Sequence, residues 1–285
     1  MNSSRSALPG CMASMAILSL AASSFLTTPA YAEYLIDASN NLESLSLGVI
    51  PFHATESAVE RNGTAFTNFE YGKEPVVGYE TAKTRTLFGL PNWYMDLQIS
   101  LGESHVGYWG TTLKPKTESL GTVDNTQDFL AERIDYRLGK TFALDTATRF
   151  ALTPYVDFGQ EAWLRESSGD GNPAWYDHES LELGAFFQTS VFRKLVLGVD
   201  GSLGRTFEEV LFDGSIHERY RPNNATIGQF AVTLDHRTYD DWHQKFELRA
   251  RVLRYGEPNA SDIFMPRRTS EIMFLLKFGT ERGFF

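Results

Sequence analysis

The sequence predicts an all-β fold, an antiparallel up-and-down transmembrane β-barrel of about ten strands, with eight as the alternative count. Three observations carry this. Apolar and polar residues alternate with period two through most of the chain beyond residue 42. The densest apolar stretch in that span, Ile272–Leu276, is five residues long, against the roughly 20 that a spanning helix needs. Short and long connections alternate strictly between the segments, as they do when turns face one side of a membrane and loops the other.

Residues Met1–Ala32 hold one basic residue, Arg5, an apolar run over Ala13–Ala22, and small residues at Ala30 and Ala32. This reads as a cleaved signal peptide that leaves a mature chain starting at Glu33. Residues 33–42 then form a short periplasmic segment, and the barrel occupies 43–285. Cys11, the one cysteine, falls in the leader, and the apolar run follows it. A lipoprotein cleavage site has that run before the cysteine, so Cys11 is expected to be discarded. A cysteine-free exported chain has neither disulfides nor thiolate metal sites.

In order along the chain, the expected strands begin with Glu43–Ala54 and Val76–Phe88, the weak part of the count. In Trp93–Trp109, Met95, Leu97, Ile99 and Leu101 oppose Tyr94, Asp96, Gln98 and Ser100. In Asp128–Thr141, Ile134, Tyr136 and Leu138 oppose Arg133, Asp135 and Arg137. In Thr148–Leu164, Phe150, Leu152, Val156 and Phe158 oppose Arg149, Asp157 and Glu161. In His178–Phe192, Leu181, Leu183, Ala185 and Phe187 oppose Glu182, Gly184 and Gln188. In Leu195–Leu211, Leu197, Val199 and Leu203 oppose Asp200 and Ser202. In Ala225–Thr238, Phe230, Val232 and Leu234 oppose Gln229, Thr233 and Asp235. In Gln244–Gly256, Phe246, Leu248, Ala250 and Val252 oppose Glu247, Arg249 and Arg251. In the last segment Ile272, Phe274, Leu276 and Phe278 oppose Glu271 and Lys277.

The short turns are Gly89–Asn92, Phe142–Ala147, Arg193-Lys194 and Tyr239–His243. The long loops are Thr55–Pro75, Gly110–Gln127, Arg165–Asp177, Phe212–Asn224 and Glu257–Arg267. Pro51 and Pro154 fall within strands, where a missing N–H has no free edge to hide at, so each is expected to mark a bulge or a strand end.

In lipid the apolar face looks outward and the polar face lines the interior. Arg133, Asp135, Arg137, Asp157, Glu161, Glu182, Asp200, Glu247, Arg249 and Arg251 are therefore the expected lumen charge network, because unpaired charge in a partly dry interior is expensive. A soluble barrel that shows this face to water is the plain alternative. The aromatics Trp93, Tyr94, Tyr108, Trp109, Trp163, Trp175, Tyr176, Tyr239, Trp242 and Tyr255 lie near strand ends and are expected to form two interfacial girdles. Glu132, Arg205 and Arg254 break the apolar face near the end assigned as extracellular. Arginines there can reach lipopolysaccharide phosphates through charge-assisted hydrogen bonds, with ordinary snorkelling as the alternative.

On the leader, the alternating segments, the loop asymmetry and the terminal Phe285, the chain resembles the single-chain bacterial outer-membrane β-barrels, including the small opacity-type surface proteins. That resemblance implies an outer-membrane location and insertion by the outer-membrane assembly machinery, which recognises a C-terminal strand ending in an aromatic residue. Phe285 is out of step with Ile272, Phe274, Leu276 and Phe278, so GTERGFF is expected to carry a bulge or form a short tail.

Composition bounds the partners. Of 26 Lys and Arg residues only Arg5 lies in the leader, and 36 Asp and Glu oppose the rest, a mature formal charge of −11. This argues against nucleic acid and against a polybasic membrane-surface mode. The expected partners are outer-membrane lipid and lipopolysaccharide, with the chain a monomer. No cofactor, metal or catalytic site is assigned, since none of the six histidines shows ligand spacing with another. Ten-stranded outer-membrane proteases use paired aspartates and a His–Asp dyad at the outer rim. Here the one Asp-x-His, Asp241-Trp242-His243, falls in a periplasmic turn. No plug or passenger domain is recognisable.

Three functional readings follow, in order: a non-enzymatic surface barrel with a mostly occluded lumen, a narrow diffusion pore, and an outer-membrane hydrolase. About eight strands give a lumen just filled by side chains, and open channels come near sixteen.

Overall fold

A computed structural model of the chain describes residues 35–59, 65–112, 121–145, 149–167, 173–213, 218–220, 224–255 and 265–284. Its wall consists of ten long strands: β1 (Glu43–Val59), β2 (Ala65–Leu87), β3 (Leu90–Thr112), β4 (Gly121–Lys140), β6 (Phe150–Ser167), β7 (Pro173–Phe192), β8 (Leu195–Asp213), β10 (Thr226–Tyr239), β11 (Trp242–Arg254) and β12 (Met265–Thr280). Two short strands, β5 (Phe142–Ala143) and β9 (Glu218–Tyr220), pair with β6 and β8. Every neighbour pair is antiparallel, and β1 pairing with β12 closes the ring. The leader, Cys11, Glu33 and Phe285 lie outside the described residues.

The register fixes the tilt. A walk across hydrogen-bonded partners starts at Glu43 and passes Thr81, Leu97, Tyr136, Phe158, Leu181, Arg205, Thr226, Arg254 and Arg268. It returns to β1 at Thr55, twelve residues further along. A stagger of twelve over ten strands, at about 3.3 Å per residue and about 4.8 Å between strands, tilts the strands about 40° from the barrel axis.

The barrel is inside out relative to a water-soluble one. Leu183 and Leu203 are 67% and 71% exposed, while Glu74, Asp157 and Glu182 on the inner face are at most 2% exposed. The lumen is thus the polar core, and period-two alternation sorts every strand between the two environments. At the end carrying the short turns, a helical turn over 35–39 fills the mouth. Leu35 and Ile36 are buried there with the inward-facing Ala151 and Val196. The Asn40 and Gln188 side chains exchange two hydrogen bonds at 3.0 and 2.9 Å.

The strands reach further than the alternation indicates. The expected loop Thr55–Pro75 is mostly strand, since β1 runs to Val59 and β2 begins at Ala65. Likewise β3 extends to Thr112, β4 starts at Gly121 and β7 starts at Pro173. Beyond the lipid band the outward residues become polar, so polarity contrast fades while the hydrogen-bond ladder continues.

The prolines also differ from expectation. Both lie inside continuous strands, where a neighbour's ladder is interrupted. The β1–β12 register runs from Val49↔Phe274 to Phe52↔Glu271 and leaves Pro51 out. The β4–β6 ladder ends at Gly139↔Tyr155 and the β5–β6 ladder begins at Phe142↔Leu152, so Pro154 falls between them. A missing donor costs nothing at such a gap.

The aromatic girdles need a larger correction. Trp109, Trp175, Tyr239 and Trp242 face outward and are exposed, but Tyr94, Trp163, Tyr176 and Tyr255 are buried inside the barrel. Strand parity dictates this: Trp163 shares its face with Asp157 and Glu161. The end of the chain forms a short tail after β12, in which Phe284 donates its N–H to Glu43 (2.9 Å) and sets its ring at a tilt against Trp242.

Candidate functional site: the charged lumen

Inward positions on adjacent strands meet in register, and long side chains then reach across the interior. On β4 and β6, Arg137 opposes Asp157 and Arg133 opposes Glu161, with nitrogen–oxygen distances of 2.9 and 3.4 Å. Arg137 also reaches Asp200 on β8 at 2.8 Å and lies over the Tyr155 ring, 4.9 Å from its centroid. The Tyr155 hydroxyl donates to the same Asp200 at 2.5 Å. Arg249 pairs with its strand neighbour Glu247 at 2.7 Å, and Arg251 pairs with Glu161.

Several contacts span the barrel. Arg133 on β4 meets Glu271 on β12 at 3.1 Å, four strands around the ring. Arg249 on β11 donates to Gln98 on β3 at 3.0 Å. Lys245 on β11 and Lys277 on β12 converge on Glu80 of β2, and Lys277 also holds Glu247 at 2.7 Å. Nearer the outer end, Arg165 on β6 holds Glu56 and Glu70, and Tyr176 on β7 donates to Glu56 on the opposite wall at 2.9 Å. Just beneath lies a raft of inward rings. Phe52 and Phe129 sit 5.2 Å apart, Phe129 and Trp163 5.5 Å, and Trp163 and Tyr176 3.7 Å.

Among the described residues, small spaces remain between these side chains. The space lined by Ser46, Glu80, Gln98, Arg133, Arg249 and Lys277 has a volume of about 30 Å³, and that lined by Phe52, Glu70, Phe129, Trp163, Leu253 and Glu271 about 20 Å³. Each has room for a few water molecules.

Of the lumen residues read from the sequence, nine are buried inside, and Asp135 is partly buried on the same face. Among the described residues no arginine pairs with Glu182. It accepts from Ser202 at 2.6 Å and from Gln229 at 2.8 and 2.9 Å. The sequence reading missed Glu56, Glu70, Glu74, Glu80, Arg165 and Lys245 as members of the network. Glu56, Glu70 and Glu74 stood in the segment read as a loop. The pairing of Glu80 with two lysines depends on the stagger, which no single strand encodes.

The histidines separate into different settings. His178 is buried with its Nε2 3.7 Å from Glu161. His243, read as part of a polar turn, is instead buried, 2.9 Å from Asp235 and 3.3 Å from Glu281. His105 bonds Asp128, its register partner, on the outward face. His217 lies outside the described residues.

The fold has counterparts among solved structures. It is similar to the outer membrane protease OmpT from Escherichia coli, with a TM-score of 0.55 and 8% identity over 84% of this chain and 95% of that one. It is also similar to the translocator domain of the autotransporter NalP from Neisseria meningitidis, with a TM-score of 0.40, 12% identity, and 94% and 96% of the chains covered. A third similarity is to the COG4313 outer membrane channel from Pseudomonas putida F1, with a TM-score of 0.32, 12% identity, and 84% and 94% covered. No protein-family model matches the chain, and no curated protein sequence does. At 8% identity the likeness to OmpT is one of fold, and it defines the class as an outer-membrane-type β-barrel.

Proposed function

We propose that this is a non-enzymatic surface barrel of a bacterial outer membrane that does not conduct. It braces the membrane and presents its outer end to the environment or a host. The observation that carries this reading is the set of bonds crossing the lumen, from Arg133 to Glu271 and from Tyr176 to Glu56, around voids of about 30 and 20 Å³. A hydrated ion needs a continuous water column, and a chain of such bonds at several levels interrupts one. The inside-out distribution of apolar side chains supports the membrane location. The outer ends of the wall support the presenting role. Lys73, Glu103, His105 and Asp128 face outward there and are exposed, as suits a wall standing in water above the lipid.

The test is single-channel recording of the purified full-length protein in planar bilayers. Insertion without steady current is the expected result. A reproducible ohmic conductance from the folded protein would overturn the reading in favour of a narrow pore.

A further inference from the structure

The outer wall carries a pattern that the lumen does not explain. Arg205 on β8, Thr226 on β10, Arg254 on β11 and Arg268 on β12 are successive register partners, and all four are exposed on the outward face. Three arginines thus form one row. At about 4.8 Å per strand, Arg205 and Arg268 stand about 14 Å apart along it. Among the described residues no carboxylate pairs with any of the three. The outward acids nearest to Arg205, namely Glu179 and Glu208, make no ion pair with it. Most of the other exposed outward acids lie on different strands. The sector of β3, β4 and β6 carries Glu103, Asp128, Glu132 and Glu166.

Beneath Arg254 and Arg268, on β10, β11, β12 and β1, lies a shallow, open apolar groove whose lining includes Val232, Leu248, Phe274 and Val49. Those four residues are themselves successive register partners. Each lies six residues below its counterpart in the row Thr226, Arg254, Arg268 and Thr55 on the same strand. Six residues at about 3.3 Å each, tilted about 40°, descend about 15 Å, half the roughly 30 Å hydrocarbon core of a bilayer. The headgroup level and the inner end of the outer leaflet's acyl chains are thus aligned on one stretch of wall.

We infer that this sector is a binding site for a phosphorylated, acylated glycolipid of the outer leaflet, with Arg205, Arg254 and Arg268 holding its phosphates and the groove holding an acyl chain. Guanidinium groups take phosphate through paired charge-assisted hydrogen bonds. A row about 14 Å wide suits a headgroup with more than one phosphate better than a single phosphodiester. The inference rests on the membrane placement proposed above. Conductance reads the lumen and the experiment below reads the outer wall, so either can fail alone.

The experiment measures thermal unfolding and binding of the full-length protein in detergent with purified lipopolysaccharide. Parallel arms use enzymatically dephosphorylated lipopolysaccharide, phosphatidylglycerol and inorganic phosphate. Lipopolysaccharide should raise the unfolding midpoint, and the other three should raise it less or not at all. R205Q/R254Q/R268Q should keep the lipid-free midpoint and bind lipopolysaccharide about tenfold more weakly, the sum of three exposed charge contacts. Val232→Trp, which fills the groove, should reduce binding with the arginines intact. An unchanged lipopolysaccharide shift in the triple variant overturns the inference. An equal shift with dephosphorylated lipid or phosphatidylglycerol does the same. So does a dimer that Val232→Trp dissociates, because the groove would then be a self-association face.

Discussion

Arg137 and Asp157 stand directly opposite each other in the β4–β6 ladder and meet at 2.9 Å inside the barrel, four residues along from the equivalent pair Arg133 and Glu161. Both pairs project from one face of two adjacent strands into the barrel interior, where all four side chains are buried. Arg137 also holds Asp200 at 2.8 Å, so one guanidinium balances two buried carboxylates.

Removing that guanidinium should be costly. Arg137→Met leaves Asp157 and Asp200 uncompensated and is expected to cost about 3–5 kcal/mol of stability. R137M/D157N/D200N should recover most of the loss, because the interior is then neutral and still filled. Urea unfolding in lipid vesicles reads both. Equal losses in the single and triple variants would mean that packing, not charge balance, sets the stability of the lumen.

The outward face has the opposite requirement. Leu183→Arg and Phe274→Arg place a charge at exposed positions of the apolar band, and each should cost about 2–4 kcal/mol. Arginine at Trp175, above the band, should cost close to nothing. Refolding equilibria in vesicles provide the comparison. A flat profile across the three sites would contradict a lipid-facing wall.

Gly184 is one of the positions at which the network depends on the smallest side chain. A Cβ there would overlap the Tyr155 ring, whose hydroxyl donates to Asp200. Gly184→Ala should therefore cost about 1–3 kcal/mol by overpacking and swing the tyrosine away from Asp200. In Tyr155→Phe the hydroxyl is already gone, so adding the glycine change should cost less than it does in the wild-type background. A double-mutant cycle measures that coupling.

Much of this fold was legible because a barrel in lipid separates its two faces completely. Leu183 beside Glu182, or Leu248 beside Glu247, declares both strand and orientation. The signal fails where the outward neighbour is also polar. In β2, Tyr71, Lys73 and Pro75 alternate with Glu70, Gly72 and Glu74, so both faces of the strand look alike and 55–75 reads as a loop. Cross-lumen partners fail for another reason. Whether Glu80 meets Lys245 or Lys277 depends on a stagger summed over the whole ring, a property of no local segment. Conversely, the inward position of Trp163 and Tyr176 was available from parity with Glu161 and His178, and the expectation of interfacial girdles overrode it.

In the turn after β5, Asp145 accepts from the backbone N–H groups of Arg149 at 2.7 Å and Phe150 at 3.2 Å. Slight desolvation works against its charge, but these bonds and the Arg149 guanidinium outweigh it and hold its carboxyl below the ordinary carboxylate range. A depressed folded value means that its stabilisation is complete above the ordinary range and is lost as pH falls through the folded value. The wild type should therefore unfold at higher temperature than Asp145→Ala at pH 7, with the gap closing in strong acid. A gap that persists there would show that the carboxylate charge is not what fixes the turn.

The central claim is that the lumen is closed by its own side chains, and the lone cysteine, Cys11, leaves room for a direct test with single introduced thiols. Ser46 is buried and lines the void of about 30 Å³ between Glu80 and Arg249, while Tyr239 is 76% exposed at the opposite end from the long loops. Ser46→Cys and Tyr239→Cys, each in the Cys11→Ser background, are placed in nanodiscs and exposed to a charged, membrane-impermeant thiol reagent. A lumen closed by the network predicts rapid labelling at 239 and essentially none at 46 until the protein is unfolded. Labelling at 46 at a rate comparable to that at 239 in the folded protein would contradict it.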